Sequence, residues 1–211
     1  MRSLNVYKGA AGMGGRRLML VMAIGLGAAC TEGKASGAAA GTGATVTDSA
    51  VPIEEALRRF RAGSAEPAGL SGGAPDRETL VRSFVTALET GDTAALRGLV
   101  MGRDEFAWLY YPSTPMSRPP YELPPDLMWF QMQGRTERGA SLLLGERAGA
   151  PLGYLAHTCG SERNEGDNRI FGHCVLRRLT AEGDTVTERL FGLILERGGV
   201  FKFVSYANTL D

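Results

Sequence analysis

The last third of the chain contains four runs of branched and aromatic residues, and this pattern constrains the fold more than any other feature of the sequence. Turn residues separate the runs, which cover residues 152–159, 168–180, 185–197 and 199–208. Branched and aromatic residues favour strands, and the pair Gly198-Gly199 is a typical two-residue hairpin turn. Consecutive strands with short connections pair antiparallel. The sequence therefore predicts a curved, four-stranded antiparallel meander.

Helical patterns precede these strands. Leu80 and Phe84, with their apolar neighbours, repeat at helical spacing between an N-cap at Asp76 and a stop at Gly91. A second short helix follows directly, and a long helix is predicted before the first strand. Helices followed by a meander, over about 135 residues, indicate one α+β domain at residues 76–211.

The segment "FVTALETGDTAALRGLV", residues 84–100, resembles the opening helix pair of the SnoaL-like and ketosteroid-isomerase-like cone-shaped α+β superfamily. There a first helix ends in a Gly-Asp pair, and a second begins with small residues and leucines. The resemblance implies a sheet that wraps the long helix and leaves a cavity, which some members use for catalysis and many for binding or association. No catalytic motif of the superfamily matches this chain, so the resemblance implies no site residue.

The N-terminal segment has the pattern of a secretory signal. Residues 16–30, "RRLMLVMAIGLGAAC", combine two arginines, an apolar run of about a dozen residues and small residues that end at Cys30. The run is too short to span a bilayer as a helix. A cysteine after small residues resembles the lipobox of bacterial lipoproteins, although Gly27 stands where Leu is usual. We predict a signal peptide at residues 1–29 and lipidation of Cys30, with an ordinary signal peptide as the alternative.

Three segments lie between this signal and the domain. Residues 30–51 are nearly all Gly, Ala, Ser and Thr, which cannot bury enough apolar surface to fold, so we predict a flexible tether. Residues 52–62 form a short amphipathic helix that is expected to dock on the domain, because it is too short to be stable in isolation. Residues 63–75 are predicted to be a linker.

Charge excludes one class of partner. From Cys30 onwards the chain carries 19 basic and 23 acidic residues, so no basic field is left to bind the phosphates of a nucleic acid. We expect attachment to a membrane through lipid on Cys30, and an unknown small molecule or envelope protein as the binding partner. Thr31, rather than Asp, after the cysteine resembles the pattern of lipoproteins sorted to the outer membrane, facing the periplasm.

The first predicted hairpin carries two cysteines at the facing ends of its strands. A register in which paired residue numbers sum to 333 places Cys159 opposite Cys174, at about the separation that a disulfide requires. An exported protein meets an oxidising compartment, so we predict a disulfide, with free thiols as the alternative. In the next hairpin, a loop of residues 181–184 would place Arg177 opposite Glu188.

Two histidines raise two further hypotheses for these cysteines, a zinc site and a Cys-His nucleophile. Zinc needs its ligands to converge as a tetrahedron. His157 lies two residues before Cys159, and His173, next to Cys174, is expected to point to the opposite face of its strand. An oxidised cysteine is not a nucleophile. We therefore predict no metal site and no cofactor, and we expect the acidic hairpin tip, "SERNEGDN", to be solvated.

Aromatic residues crowd a short window, residues 106–130, that extends into the start of the long helix. They could line a pocket for an apolar ligand or form core. The candidate pocket residues are Trp108, Tyr110, Tyr111, Tyr121, Trp129 and Phe130. For the pocket hypothesis, Asp104 is a candidate polar group and His157 a candidate base.

Two functions are consistent with these patterns. The first is an envelope lipoprotein whose domain binds a ligand or partner without catalysis, since export and tethering describe a presented module. The second is a cofactor-free isomerase or dehydratase that works by acid-base catalysis in an apolar pocket. A buried, perturbed carboxylate or histidine inside a cavity would favour the enzyme.

The Cys30 prediction can be tested directly in cells. We expect a fatty-acid analogue to label the wild-type protein and not Cys30→Ser, because the lipid is attached through the cysteine thiol. Gel fluorescence after bio-orthogonal coupling measures the labelling. Equal labelling of both proteins would contradict lipidation and favour the ordinary signal peptide.

Overall fold

The computed structural model describes residues 51–210. The predicted signal peptide, the predicted lipidation site Cys30 and nearly all of the predicted tether lie outside the described residues. Within residues 51–210, none of the helices is both long and apolar enough to cross a membrane.

Residues 51–210 form five α-helices, four of them where the sequence patterns predict a helix, and their ends follow local chemistry. The Asp76 carboxylate caps the second helix by accepting a hydrogen bond from the Thr79 amide at 2.7 Å, and Gly91 ends it at φ 67°. The helices are α1 (Ile53–Phe60), α2 (Arg77–Thr90), α3 (Thr93–Leu99), α4 (Arg103–Glu105) and α5 (Pro125–Arg147). A π-helical turn, Phe106–Tyr110, continues α4.

The sheet is antiparallel, which confirms the predicted α+β class. Its strands are β1 (Tyr154–Glu165), β2 (Asn168–Leu179), β3 (Thr185–Glu188), β4 (Ile194–Arg197) and β5 (Val200–Phe203). The order is β1-β2-β4-β5, with β3 paired to β2. The prediction of four strands was wrong in number, because the third run is split into β3, beside the end of β2, and β4, beside its start.

The first hairpin has the predicted register and the second does not. Cys159 lies opposite Cys174, and a disulfide joins them, as predicted. In the second hairpin Leu176, not Arg177, lies opposite Glu188. The reason is that Thr180 belongs to the loop, where its amide donates a hydrogen bond to the Asp184 carbonyl at 2.8 Å, so pairing shifts by one residue.

The core has two parts. The first lies between α2 and the sheet, where Phe84 contacts Phe191 and Phe203 with ring centroids 5.5 Å apart. The second surrounds Phe106 of the π-helical turn and takes in the end of α1 through Phe60. The helix at residues 53–60 is therefore docked on the domain, as its amphipathic pattern predicts.

A buried ion pair connects the helical layer to the sheet. The Lys202 ammonium on β5 lies 2.9 Å from the Glu105 carboxylate on α4, and both side chains are about 95 % buried. The same carboxylate accepts hydrogen bonds from the amides of Ser71 and Gly102, and Lys202 also donates to the Ser71 carbonyl at 2.7 Å. The predicted linker is thus packed against the domain, since Ala74 also pairs with β5.

These contacts determine the protonation of Glu105. Burial opposes ionisation, but hydrogen bonds from Lys202, Ser71 and Gly102 outweigh it and hold the pKa of the carboxyl below its ordinary value. Such a group contributes stability that is present above its unfolded pKa and is lost as pH falls through its lower folded pKa.

Breaking the pair should destabilise the domain strongly. We expect Lys202→Met to lower the free energy of unfolding by about 3 to 5 kcal/mol at neutral pH, because it leaves a buried carboxylate uncompensated. Urea denaturation measures the change. The control is Arg169→Met, which removes a half-exposed pair with Glu162 and a longer contact with Glu196 at 3.8 Å, and which should cost no more than about 1 kcal/mol. Equal losses would contradict a special contribution from the buried pair.

Candidate functional site

A cleft of about 550 Å³ opens between the first half of α5 and the sheet. The helical side includes Met128, Met132 and Arg135, and the sheet side includes Ser161, Gly172 and Leu193. Its volume falls within the range of about 300–1,000 Å³ that is usual for small-molecule sites. We take this cleft as the candidate ligand site because residues from both parts of the core line it, Cys174 from the first and Met132 from the second. A pocket of about 770 Å³ beside α1 is larger, but charged residues of both signs line much of it.

Methionines on one side of the cleft and a glycine on the other help to leave its space open. Met116, Met128 and Met132 make much of the helical side, and methionine side chains adapt to irregular shapes. On the sheet side, a Cβ at Gly172 would lie 2.7 Å from Ser161 Oγ. The absence of that carbon keeps this part of the cleft open.

Several polar side chains reach the cleft. The side chains that line it include Arg135, Arg163, Arg189 and Tyr110. Burial, and then the negative charge of Glu165, raise the pKa of Tyr110 to about 12, so its hydroxyl stays protonated at neutral pH. Tyr110 can therefore donate a hydrogen bond and cannot serve as a base.

A buried carboxylate lies beside the cleft and was missed by the sequence reasoning. Glu165 is 6 % exposed, and its Oε1 accepts a hydrogen bond from Arg163 Nε at 2.7 Å. Its Oε2 is buried, and no described group donates a hydrogen bond to it. Glu165 itself does not line the cleft among the described residues.

The expectation that the acidic hairpin tip is solvated was wrong for Glu165 and Asn168. Asn168 is fully buried, and its amide donates a hydrogen bond to the Leu109 carbonyl at 2.8 Å. Arg197 in turn donates to the Asn168 amide oxygen. The tip folds onto the π-helical turn, and nothing local in its polar sequence indicates this contact.

His173 departs from regular strand geometry. Its φ is 51°, in the left-handed region that non-glycine residues seldom adopt. Its Nδ1 lies 3.1 Å from Ser161 Oγ, and both residues line the cleft. His173 is exposed whereas its neighbour Cys174 is buried, and the ring of His173 reaches Ser161 on the paired strand.

The candidate aromatic residues divide into core and surface. Tyr110 and Tyr111 are buried, and Tyr111 donates a hydrogen bond to the Leu123 carbonyl at 2.7 Å. Trp129 is half-buried, with its ring 5.3 Å from that of Phe106. Of the six candidates, only Tyr110 lines the cleft.

The other three aromatic candidates lie apart from the cleft. Trp108 is half-buried beneath the guanidinium of Arg61, 4.0 Å from the ring centroid, and donates a hydrogen bond to Ser64. Tyr121 and Phe130 are 62 % and 73 % exposed. The structure therefore does not bring the six residues together around one cavity.

The two candidate catalytic residues are also separated. Asp104 is exposed on α4, with its carboxylate 3.9 Å from the guanidinium of Arg103. His157, on β1, has its Nδ1 3.2 Å from Glu78 Oε2 and 3.0 Å from the Tyr154 hydroxyl. His157 lines a different, smaller pocket of about 280 Å³.

The His157 network has the geometry of an oriented imidazole. Burial lowers the pKa of His157, and the nearby Glu78 carboxylate opposes this only in part. The ring is therefore neutral at neutral pH. When Glu78 accepts the proton on Nδ1, Nε2 is left as a hydrogen-bond acceptor.

In residues 51–210, no three His, Cys, Asp or Glu side chains cluster as a metal site would require.

Comparisons with known proteins do not add a family. No protein-family model, no curated protein and no solved structure matches the chain. The class that the structure defines is an α+β domain with an open antiparallel sheet and a cleft beneath its longest helix.

The low pKa of His157 makes stability depend on pH. The unfolded chain binds a proton near pH 6.5 and the folded chain only at lower pH, so stability from this group is present above about pH 6.5 and is lost below it. We expect the free energy of unfolding to fall between about pH 7 and 5.5, and to fall less steeply in His157→Gln. Urea titrations at several pH values measure both slopes. Identical slopes would contradict a neutral, buried imidazole.

Proposed function

We propose that this protein is an exported envelope lipoprotein, anchored through Cys30 and facing the periplasm, whose domain binds a small apolar molecule without catalysis. The cleft of about 550 Å³ between α5 and the sheet carries the proposal. The signal-like segment at residues 16–30 and the tether-like composition after it support export and presentation at a membrane.

The chemistry of the cleft favours binding. Its volume suits a small ligand, and the apolar surfaces of Met128, Met132 and Leu193 can be covered by one. Methionine-rich surfaces adjust their shape at little cost, which suits a protein that accepts related apolar ligands. Tyr110 also lines the cleft, and its hydroxyl stays protonated at neutral pH.

Catalysis is left out of the proposal because neither candidate catalytic residue lines this cleft, and His173, the histidine that does line it, has no carboxylate partner among the described residues to orient its ring. Tyr110 is protonated at neutral pH, and the candidate residues Asp104 and His157 are not among those that line it. General acid-base catalysis needs a base within hydrogen-bond reach of the substrate proton.

The alternative function is a cofactor-free acid-base enzyme that uses His157. One observation favours it: Glu78 and Tyr154 hold Nδ1 of a neutral imidazole that lines its own pocket. An oriented neutral imidazole is a competent general base. The two functions therefore use different places on the molecule, and single substitutions separate them.

The test uses the mature chain from residue 30 with Cys30→Ser, exported under an ordinary signal peptide so that it carries no lipid and needs no detergent. We expect the neutral dye N-phenylnaphthylamine to bind with an increase in fluorescence, because the ring enters the apolar cleft. Ser161→Phe should abolish binding, since the new ring fills the space above Gly172. Ala207→Phe fills the same cleft from the segment after β5 and guards against a folding defect in the first variant.

The matched control is Thr158→Phe. Thr158 lies three positions away on β1 and lines the small pocket beside His157 instead. We expect this variant to bind the dye as the unsubstituted chain does, with circular dichroism confirming the fold of each variant. Dye binding that is lost in Thr158→Phe and kept in Ser161→Phe would move the site to His157 and favour the enzyme.

A further inference from the structure

The cleft between α5 and the sheet has a marked charge asymmetry. Arginine side chains reach it from three separate elements: Arg135 from α5, Arg163 from β1 and Arg189 from the connection between β3 and β4. Among the described residues that line the cleft, none is Asp or Glu. Three arginines that line one cleft give it an excess of positive charge, which favours an anionic ligand.

Two of these arginines have no counter-charge within residues 51–210. Arg163 is paired with Glu165, so its charge is compensated within the fold. The guanidinium groups of Arg135 and Arg189 make no hydrogen bond or ion pair with any residue in the described part of the chain. Their donors remain available, and a guanidinium is matched to a planar oxyanion by its paired N–H groups.

The same cleft has an apolar wall opposite these charges. Met128 and Met132 on α5 and Leu193 and Val204 on the sheet side line it together with the arginines. A bare inorganic anion would leave that wall exposed to water, and a neutral apolar molecule would leave the arginines without a partner. A molecule with both an acidic group and an apolar body satisfies both surfaces.

A strained backbone supports a binding role for this wall. His173 keeps its left-handed φ between Gly172 and the disulfide-bonded Cys174, and its ring contacts Ser161 in the cleft. Strained residues persist where the surrounding structure holds them, and they concentrate at ligand sites. The disulfide holds β2 to β1 at this point.

We propose that the ligand of the cleft is a small organic acid with an apolar body. One molecule of this acid binds, with its oxyanion between Arg135 and Arg189. This assignment rests on the proposed function and adds the chemical class of the ligand. Alkyl carboxylates and alkyl phosphates share this chemistry, and competition with a bound dye distinguishes them.

The test compares two dyes that differ in one group. Anilinonaphthalene sulfonate has the ring system of N-phenylnaphthylamine with an added sulfonate. On the mature Cys30→Ser chain we expect the sulfonate to bind about tenfold more tightly, which is the effect of about 1.4 kcal/mol. We also expect added salt to weaken binding of the sulfonate dye and to leave binding of the neutral dye unchanged. Fluorescence titration gives both dissociation constants.

Single substitutions identify which arginines bind the sulfonate group. Arg135→Gln and Arg189→Gln should each weaken sulfonate binding by roughly fivefold, as the loss of one partly exposed charged contact does, and leave the neutral dye unaffected. Arg97→Gln is the matched control, because Arg97 lies on α3 and does not line the cleft. It should change neither dissociation constant.

Displacement identifies the head group. Decanoate and decyl phosphate should displace the sulfonate dye, and whichever does so at the lower concentration identifies the preferred oxyanion. Decanol and decyltrimethylammonium, with the same chain and no negative charge, should displace it poorly. Displacement by acetate or inorganic phosphate as effective as that by decanoate would overturn the apolar half of the proposal.

Failure of this inference is distinguishable from failure of the proposed function. Equal affinities for the two dyes, with no effect of Arg135→Gln or Arg189→Gln, would overturn the anionic class while leaving a cleft that binds neutral molecules. If neither dye binds, or if Ser161→Phe leaves both dyes bound, the proposed function fails and this inference fails with it.

Discussion

The ion pair between Glu105 and Lys202 is the contact on which the arrangement of helices and sheet depends. Two charges taken out of water are tolerated only when each meets the other and the remaining lone pairs are satisfied. The amides of Ser71 and Gly102 provide those additional hydrogen bonds. Three separate segments must therefore assemble around one carboxylate, which holds the segment at residues 63–75, the start of α4 and β5 in a single arrangement.

The aromatic turn follows directly from this anchor. Phe106 comes immediately after Glu105, and its ring contacts Phe60, Tyr111 and Trp129. Because the carboxylate holds one end of the turn, the aromatic rings pack between α1, the turn and α5. They form a support for the first half of α5, the part of that helix that faces the cleft.

The cleft lies where the first half of α5 and the sheet are not in contact. Gly172 and Gly192 contribute no side chain on the sheet side, and methionines face them from α5. One turn beyond Arg135 on the same helix, a side chain at Gly139 would collide with the carbonyl of Tyr206, so helix and chain come into direct contact there. The helix thus packs closely against the chain at Gly139 and leaves a cavity beside its first half, which is the arrangement that a binding site requires.

Local patterns of the sequence by themselves determined the α+β class, the capped helices, the long helix from Pro125, the antiparallel pairing and the Cys159–Cys174 disulfide. Each depends on residues that are neighbours along the chain or in one hairpin, where periodicity, caps and turn residues act. Tertiary structure alone decided the split of the third strand, the burial of Glu165 and the meeting of Arg135, Arg163 and Arg189 at one cleft. These depend on contacts between segments far apart in sequence, and no local pattern records which distant backbone or side chain will lie opposite a given residue.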